Sequence, residues 1–260
     1  MADRLNRGGR GRKRNSGLTP GVHIMSHFRI TGGIPLQGEV ACGGSKNAAL
    51  PIMAATILAG EPVRLEGVPR LADARIQAEI LQRLGVAATE VGDSLVFETF
   101  DHRPARVPQR LARRMRAGFC LLGPLLARRG RAVVPLPGGC NLGHRPVDLH
   151  LKGLAALGAD LHLRHGYVVA SAPRLAGTEI DLLGPCGSTV TGTANVLCAA
   201  VLACGTTVLR NAAVEPEIVD LQRFLVSLGA NIEGVGTSTL RIQGVEQLGG
   251  ATHRLIPDRI

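Results

Sequence analysis

Ala54-Ala55-Thr56-Ile57-Leu58-Ala59-Gly60 closes a helical pattern that opens near Lys46 and is apolar nearly all round. A helix without a polar face belongs in an interior, not on a surface. The helix-to-glycine phrase returns as Leu122-Gly123-Pro124-Leu125-Leu126-Ala127-Arg128-Arg129-Gly130, then as Ala199-Ala200-Val201-Leu202-Ala203-Cys204-Gly205. Its terminating glycines are spaced 70 and 75 residues apart. A second phrase follows each copy: Leu81-Gln82-Arg83-Leu84-Gly85, Leu154-Ala155-Ala156-Leu157-Gly158-Ala159 and Leu225-Val226-Ser227-Leu228-Gly229-Ala230.

In the first copy Val63–Glu66 reads as a strand. Ala72–Leu84 reads as an amphipathic helix with Ile76, Ile80, Leu81 and Leu84 on one face, and Val86–Phe97 as two strands joined at Gly92-Asp93. Each copy therefore reads helix, strand, helix, strand pair, and three copies fill about Lys46–Val245. A unit that cannot cover its own apolar helix must stack it on its siblings. The expected class is α/β, with three central apolar helices wrapped by three amphipathic helices and three small sheets. A generic α/β layer with helices of similar composition is the alternative. Recurrence of several positions in one order favours true repeats.

Composition narrows the classes of function. Hydrophobic residues make up 45% of the 260, enough for a sizeable core, yet aromatics are 2%, with one Tyr and no Trp. Such a chain lacks the stacking platforms that single-stranded nucleic acid requires. Much of the net charge of +10 sits in residues 1–24, where Arg4, Arg7, Arg10, Arg12, Lys13 and Arg14 face Asp3 alone. That Gly/Arg-rich stretch is expected to be a disordered basic tail. It lacks the apolar segment of a secretory signal, and Met25 stands where the first patterned segment opens. RNA binding by this arm is the lesser reading. No apolar run is long enough for a membrane-spanning helix. The six cysteines show no CxxC pair and no zinc spacing, which fits reduced thiols in a cytoplasmic protein without a metal.

Two stretches carry chemistry. Gly43-Gly44-Ser45 leads into Lys46-Asn47 at the start of the first buried helix. Free N–H groups and the helix dipole favour an anion there, and a lysine adds a full charge. The spacing is not that of a P-loop. Arg116 is the near counterpart in the second copy, while Arg113 and Arg114 read as a solvated face. The other stretch is Leu136-Pro137-Gly138-Gly139-Cys140-Asn141-Leu142-Gly143-His144-Arg145-Pro146-Val147-Asp148. A cysteine among glycines, beside His144 and Arg145, is placed to be a thiolate; a Gly-Pro turn is the equal alternative for the loop alone. Cys120 and Cys198 sit in apolar runs and read as structural, and so does His150.

With Glu215-Pro216-Glu217-Ile218-Val219-Asp220, these motifs resemble the enolpyruvyl transferases of the EPSP synthase-like family. Within it the cysteine loop resembles the branch of UDP-N-acetylglucosamine 1-carboxyvinyltransferases, which opens peptidoglycan synthesis. The resemblance runs from about Phe28 to Ile260. It implies an inside-out α/β barrel of three repeats, followed in the family by a second such barrel. It implies that Lys46 and Asn47 hold phosphoenolpyruvate, and that Cys140 is the catalytic proton donor, forms a covalent adduct and is alkylated by fosfomycin. Arg116, Arg145, Pro146, Val147, Asp148 and Leu149 would contact the uridine nucleotide or order the loop over it. No cofactor or metal is needed.

On this reading residues 25–45 are strands of a second, mostly missing barrel, 46–248 the three-repeat barrel, and 249–260 the start of the truncated second barrel. That missing barrel is the expected intramolecular partner, and no membrane is involved. Turnover by the 260 residues is expected to be poor. A truncated, catalytically impaired nucleotide-binding module is the alternative function.

Overall fold

A computed structural model of the chain describes residues 29, 31–33, 35, 37–100, 105–115, 117–137, 146–185 and 187–260. The tail 1–24 lies outside the described residues. Residues 1–40 and 41–260 form separate compact units. Among the described residues of 29–43 no strand is present.

The first repeat runs α1 (Lys46–Ala55), a 3-10 turn (Thr56–Leu58), β1 (Val63–Glu66), α2 (Ala72–Arg83), β2 (Val86–Val91) and β3 (Ser94–Thr99). The second opens with a short α3 (Gln109–Ala112) and a 3-10 segment (Ala117–Leu121). It continues as α4 (Leu122–Arg129), β4 (Arg131–Pro135), α5 (Asp148–Ala156), β5 (Asp160–Arg164) and β6 (Tyr167–Ser171). The third comprises β7 (Glu179–Asp181), a small hairpin β8 (Leu183–Gly184) and β9 (Gly187–Ser188), α6 (Val190–Ala200), β10 (Thr206–Arg210), α7 (Pro216–Ser227), β11 (Asn231–Glu233) and β12 (Leu240–Gln243). β13 (Ala251–Arg254) ends the series. The helix-strand-helix-hairpin order read from the sequence is present in all three copies.

The central helices are interior all round. Residues 48–55 of α1, 122–126 of α4 and 192–200 of α6 are buried. The outer helices are amphipathic; α2 buries Ala74, Ile76, Gln77, Ile80 and Leu81. Each outer helix ends at a glycine with positive φ, +80° at Gly85, +93° at Gly158 and +102° at Gly229. A side chain there would meet the following carbonyl. The recurring Leu-Gly phrase is thus a helix stop imposed by backbone geometry, and the turn it makes feeds a hairpin in every copy.

The sheets are linked by a cyclic handover. In each, the strand after the central helix pairs antiparallel with the hairpin: β1 with β3, β4 with β6, β10 with β12. Its other edge receives the stretch of chain that lies between one repeat's hairpin and the next central helix or, in the first sheet, the strand that follows the third hairpin. Val107 N–H donates to Val133 O at 2.9 Å, β7 runs parallel to β10, and β13 runs parallel to β1 with Val63 opposite Ala251. The last repeat thus hands its tail to the first. Residues 251–254 complete the sheet of the first repeat, because β1 offers them an unpaired edge.

Packing between α4 and α6 is set by two residues. A Cβ at Gly123 would collide with the backbone carbonyl of Asn195, so only glycine permits this approach. Asn195, fully buried, accepts the Gly123 N–H at 2.7 Å and donates to Phe119 O at 2.9 Å. We predict that Gly123→Ala lowers unfolding free energy by about 2–3 kcal/mol, as forced overpacking does. Denaturant titration measures it, and a loss within ~0.5 kcal/mol would mean the helices can part without cost.

Candidate active site at the start of the first central helix

Helix α1 begins where the chain passes beneath its own last residues. Ser45 caps it, its Oγ accepting the Ala48 N–H at 3.3 Å. Ser45 N–H donates to Ile256 O and Asp258 N–H to Gly43 O, both at 2.8 Å. Gly44 has no room for a side chain against the Gly67 carbonyl. The Lys46 N–H donates to Asp258 Oδ2 at 3.1 Å. The Lys46 side chain turns to α2, with Nζ 2.6 Å from Asp73 Oδ2. Asn47 is exposed beside it. Pro51 has no N–H, so the Asn47 carbonyl receives no bond from residue 51.

Segment 253–259 is fastened to α7. Arg259 grips Glu217 with two bonds, of 3.0 and 3.3 Å. Asp220 pairs with His253 Nε2 at 3.0 Å through one oxygen and accepts the Ile256 N–H at 3.3 Å through the other. Glu217 and Asp220 are buried and lie three apart on one helical face. The N–H groups of Ile260 and Lys46 hold the Asp258 carboxyl below the usual carboxylate range.

Sequence reasoning quoted Glu217 and Asp220 without giving them a task, and missed Asp73 and Asp258. One signal was available. Glu217 and Asp220 have the i, i+3 spacing of one helical face.

The cysteine stretch is described only at its ends. Cys140, Arg145 and Arg116 lie outside the described residues. Leu136 N–H donates to Gly166 O at 2.9 Å. Pro146 and Asp148 are exposed, and Val147 and Leu149 half-buried. Asp148 opens α5, where a carboxylate suits the helix dipole, and Leu149 packs against Gly184. Pro137 and Val147, from either end, line one small pocket with Phe119, Cys120, His150 and Thr191. Among the described residues no hydrogen bond or ion pair joins Pro146–Leu149 to Lys46 or Asn47.

His150 is structural, as its sequence context indicated. Asn195 Nδ2 lies 2.8 Å from its Nδ1, and its Nε2 is 3.1 Å from Thr191 Oγ1. The amide nitrogen can only donate, so Nδ1 accepts and Nε2 carries the hydrogen toward Thr191. This fastens the start of α5 to α6. Arg113 and Arg114 are exposed. Cys120 and Cys198 are buried thiols; burial, with Cys120 nearby, pushes the Cys198 thiol up, away from reactivity. No cluster of metal-ligating side chains occurs among the described residues, and none of their helices is long and apolar enough to cross a membrane.

Residues 30–260 match the family model described as EPSP synthase (3-phosphoshikimate 1-carboxyvinyltransferase). The chain belongs to the EPSP synthase family. Family relatives include "UDP-N-acetylglucosamine 1-carboxyvinyltransferase 1" of Carboxydothermus hydrogenoformans, 50% identical over 236 residues, covering 91% of this chain and 55% of the relative. The enzyme of that name from Solibacter usitatus is also 50% identical, over 91% of this chain and 56% of the relative. The chain thus spans a little over half the length of the curated relatives it matches. Among solved structures of the family, the enolpyruvyl transferase NikO from Streptomyces tendae superposes with a TM-score of 0.75 at 28% identity, over 87% of this chain and 53% of that one. EPSP synthase from Acinetobacter baumannii gives 0.67 at 18% identity, over 85% and 50%, and shares the fold.

The fastening of this family member's last residues is expected to be acid-sensitive. A carboxyl held below its unfolded value of about 3.9 adds stability above that pH and loses it as pH falls through the lower folded value. In melts from pH 2 to 6, the wild type should exceed Asp258→Asn above about pH 4, and the gap should close toward pH 2. A gap that persists unchanged at pH 2 would assign the stabilisation to something other than the charge.

Proposed function

We propose that this chain is the N-terminal part of a UDP-N-acetylglucosamine 1-carboxyvinyltransferase. The reaction transfers the enolpyruvyl group of phosphoenolpyruvate to the 3′-hydroxyl of UDP-N-acetylglucosamine and releases phosphate. It serves peptidoglycan synthesis in the cytoplasm, and through it cell shape and division. The observation that carries the reading is 50% identity over nine-tenths of the chain with enzymes of that name.

In the proposed scheme the 3′-hydroxyl gives up its proton to a base as its oxygen bonds to C2 of phosphoenolpyruvate, and a proton added at C3 turns the C2–C3 double bond single, giving a tetrahedral phosphorylated intermediate. Loss of the C3 proton then re-forms the double bond as the C2–O bond to phosphate breaks. Cys140 is the proposed proton donor at C3. Lys46 and Asn47 hold the phosphorylated acid, where a cation matters most as phosphate departs. Arg116, Arg145, Pro146, Val147, Asp148 and Leu149 receive the nucleotide or order the Cys140 stretch above it. An ammonium at the capped start of a buried helix supports the assignment of Lys46. The tethering of α5 through His150 supports that of Asp148 and Leu149, since it fixes where they stand.

The three repeats and their cyclic handover support an inside-out α/β barrel for 46–248, and the share of the relatives left uncovered supports a second barrel as partner. No cofactor enters the scheme.

Calorimetry with UDP-N-acetylglucosamine should show saturable binding by the 260-residue chain. Fosfomycin should add one equivalent of mass at Cys140, and Lys46→Ala should slow that addition at least about tenfold. A folded chain that neither binds the nucleotide nor takes up fosfomycin would overturn the assignment.

A further inference from the structure

The ammonium assigned to the phosphorylated acid already has a counter-ion. Lys46 Nζ lies 2.6 Å from Asp73 Oδ2, while the backbone N–H of Lys46 donates to Asp258 Oδ2 at 3.1 Å. Two carboxylates thus stand at the start of α1, where an incoming anion would stand.

The two are not equivalent. Asp258 is built in. Its Oδ1 accepts the Ile260 N–H at 3.0 Å, its own N–H is spent on Gly43 O, and the neighbouring Arg259 is anchored on Glu217. Asp73 sits in the first turn of α2, and among the described residues its ion-pair partner is Lys46. The side chains of Lys46 and Asp73 are 43% and 27% exposed. An ion pair so open to water is weakly held, and a doubly charged phosphate competes well against one carboxylate.

We propose that Asp73 is a placeholder anion. It positions the Lys46 ammonium while the site is empty, yields it to the phosphorylated substrate, and takes it back as inorganic phosphate leaves. The inference rests on the reading of Lys46 as a ligand of that substrate. The step is an exchange of ion pairs, with no covalent bond made or broken. Its consequence is directional. A competing carboxylate weakens anion binding and hastens release, so removing its charge should tighten binding and slow departure.

Asp73→Asn removes the charge and keeps the shape; Asp73→Glu keeps the charge. Inorganic phosphate and phosphoenolpyruvate are titrated separately into the full chain and both variants by calorimetry, at low and high salt, with thermal melts to confirm folding. Asp73→Asn is expected to bind both anions roughly three- to tenfold more tightly, with the gain shrinking at high salt. Asp73→Glu should stay within about twofold of wild type. Asp73→Ser, which also removes the charge, should move binding in the direction of Asn if the Asn variant melts early. A purely structural Asp73 would lower the melting temperature without tightening either anion. Anion binding by wild type with no tightening in folded Asn or Ser variants overturns this inference alone. Binding of neither anion by any of the proteins overturns the assignment of Lys46, and this inference with it.

Discussion

Three helices with no polar side must share one interior, and the rest of the molecule follows from that. Burial of α1, α4 and α6 against one another removes from water a surface that no single repeat can cover. The outer helices and sheets cover what remains. A polar group in such an interior is costly unless its bonding atoms are met. Asn195 satisfies that condition by bridging the backbone of α4, the 3-10 segment before it and the His150 ring. One amide therefore ties the packing of the central helices to the start of α5.

The proposed anion ligand lies where a buried helix reaches the surface. A helix anchored along its length by apolar contacts presents its first turn with little freedom, and a first turn already prefers anions. Lys46 has that position on α1, with Asp73 from α2 and Asp258 from the chain's last residues gathered around it. The Lys46 ammonium thus has a counter-ion within the protein before any ligand arrives.

Much of this architecture was readable in the sequence because it depends on local rules. Apolar periodicity gave the central helices, and the Leu-Gly phrases gave the ends of α2, α5 and α7. Gly92-Asp93 marked the turn between β2 and β3. The pairing of β13 with β1 was not readable, because a four-residue strand carries no label for its distant neighbour; Ala251–Arg254 was read as the opening of something new. The ionic contacts were hidden for the same reason. Lys46 and Asn47 stood out through Gly43-Gly44-Ser45, whereas Asp73 looked like an ordinary acidic residue in a helix's first turn. Only the fold brings it to Lys46.

The handover of strands also bears on how the chain acquires its shape. Val63 is made well before its partner Ala251. One edge of the first sheet therefore stays bare while almost everything between them is translated. Closing so large a loop is slow, and a bare edge recruits stray strands in the meantime. Arg64 and Glu66 on β1 put charge on that waiting edge, a guard against mispairing during the interval in which the nascent chain is most prone to aggregate.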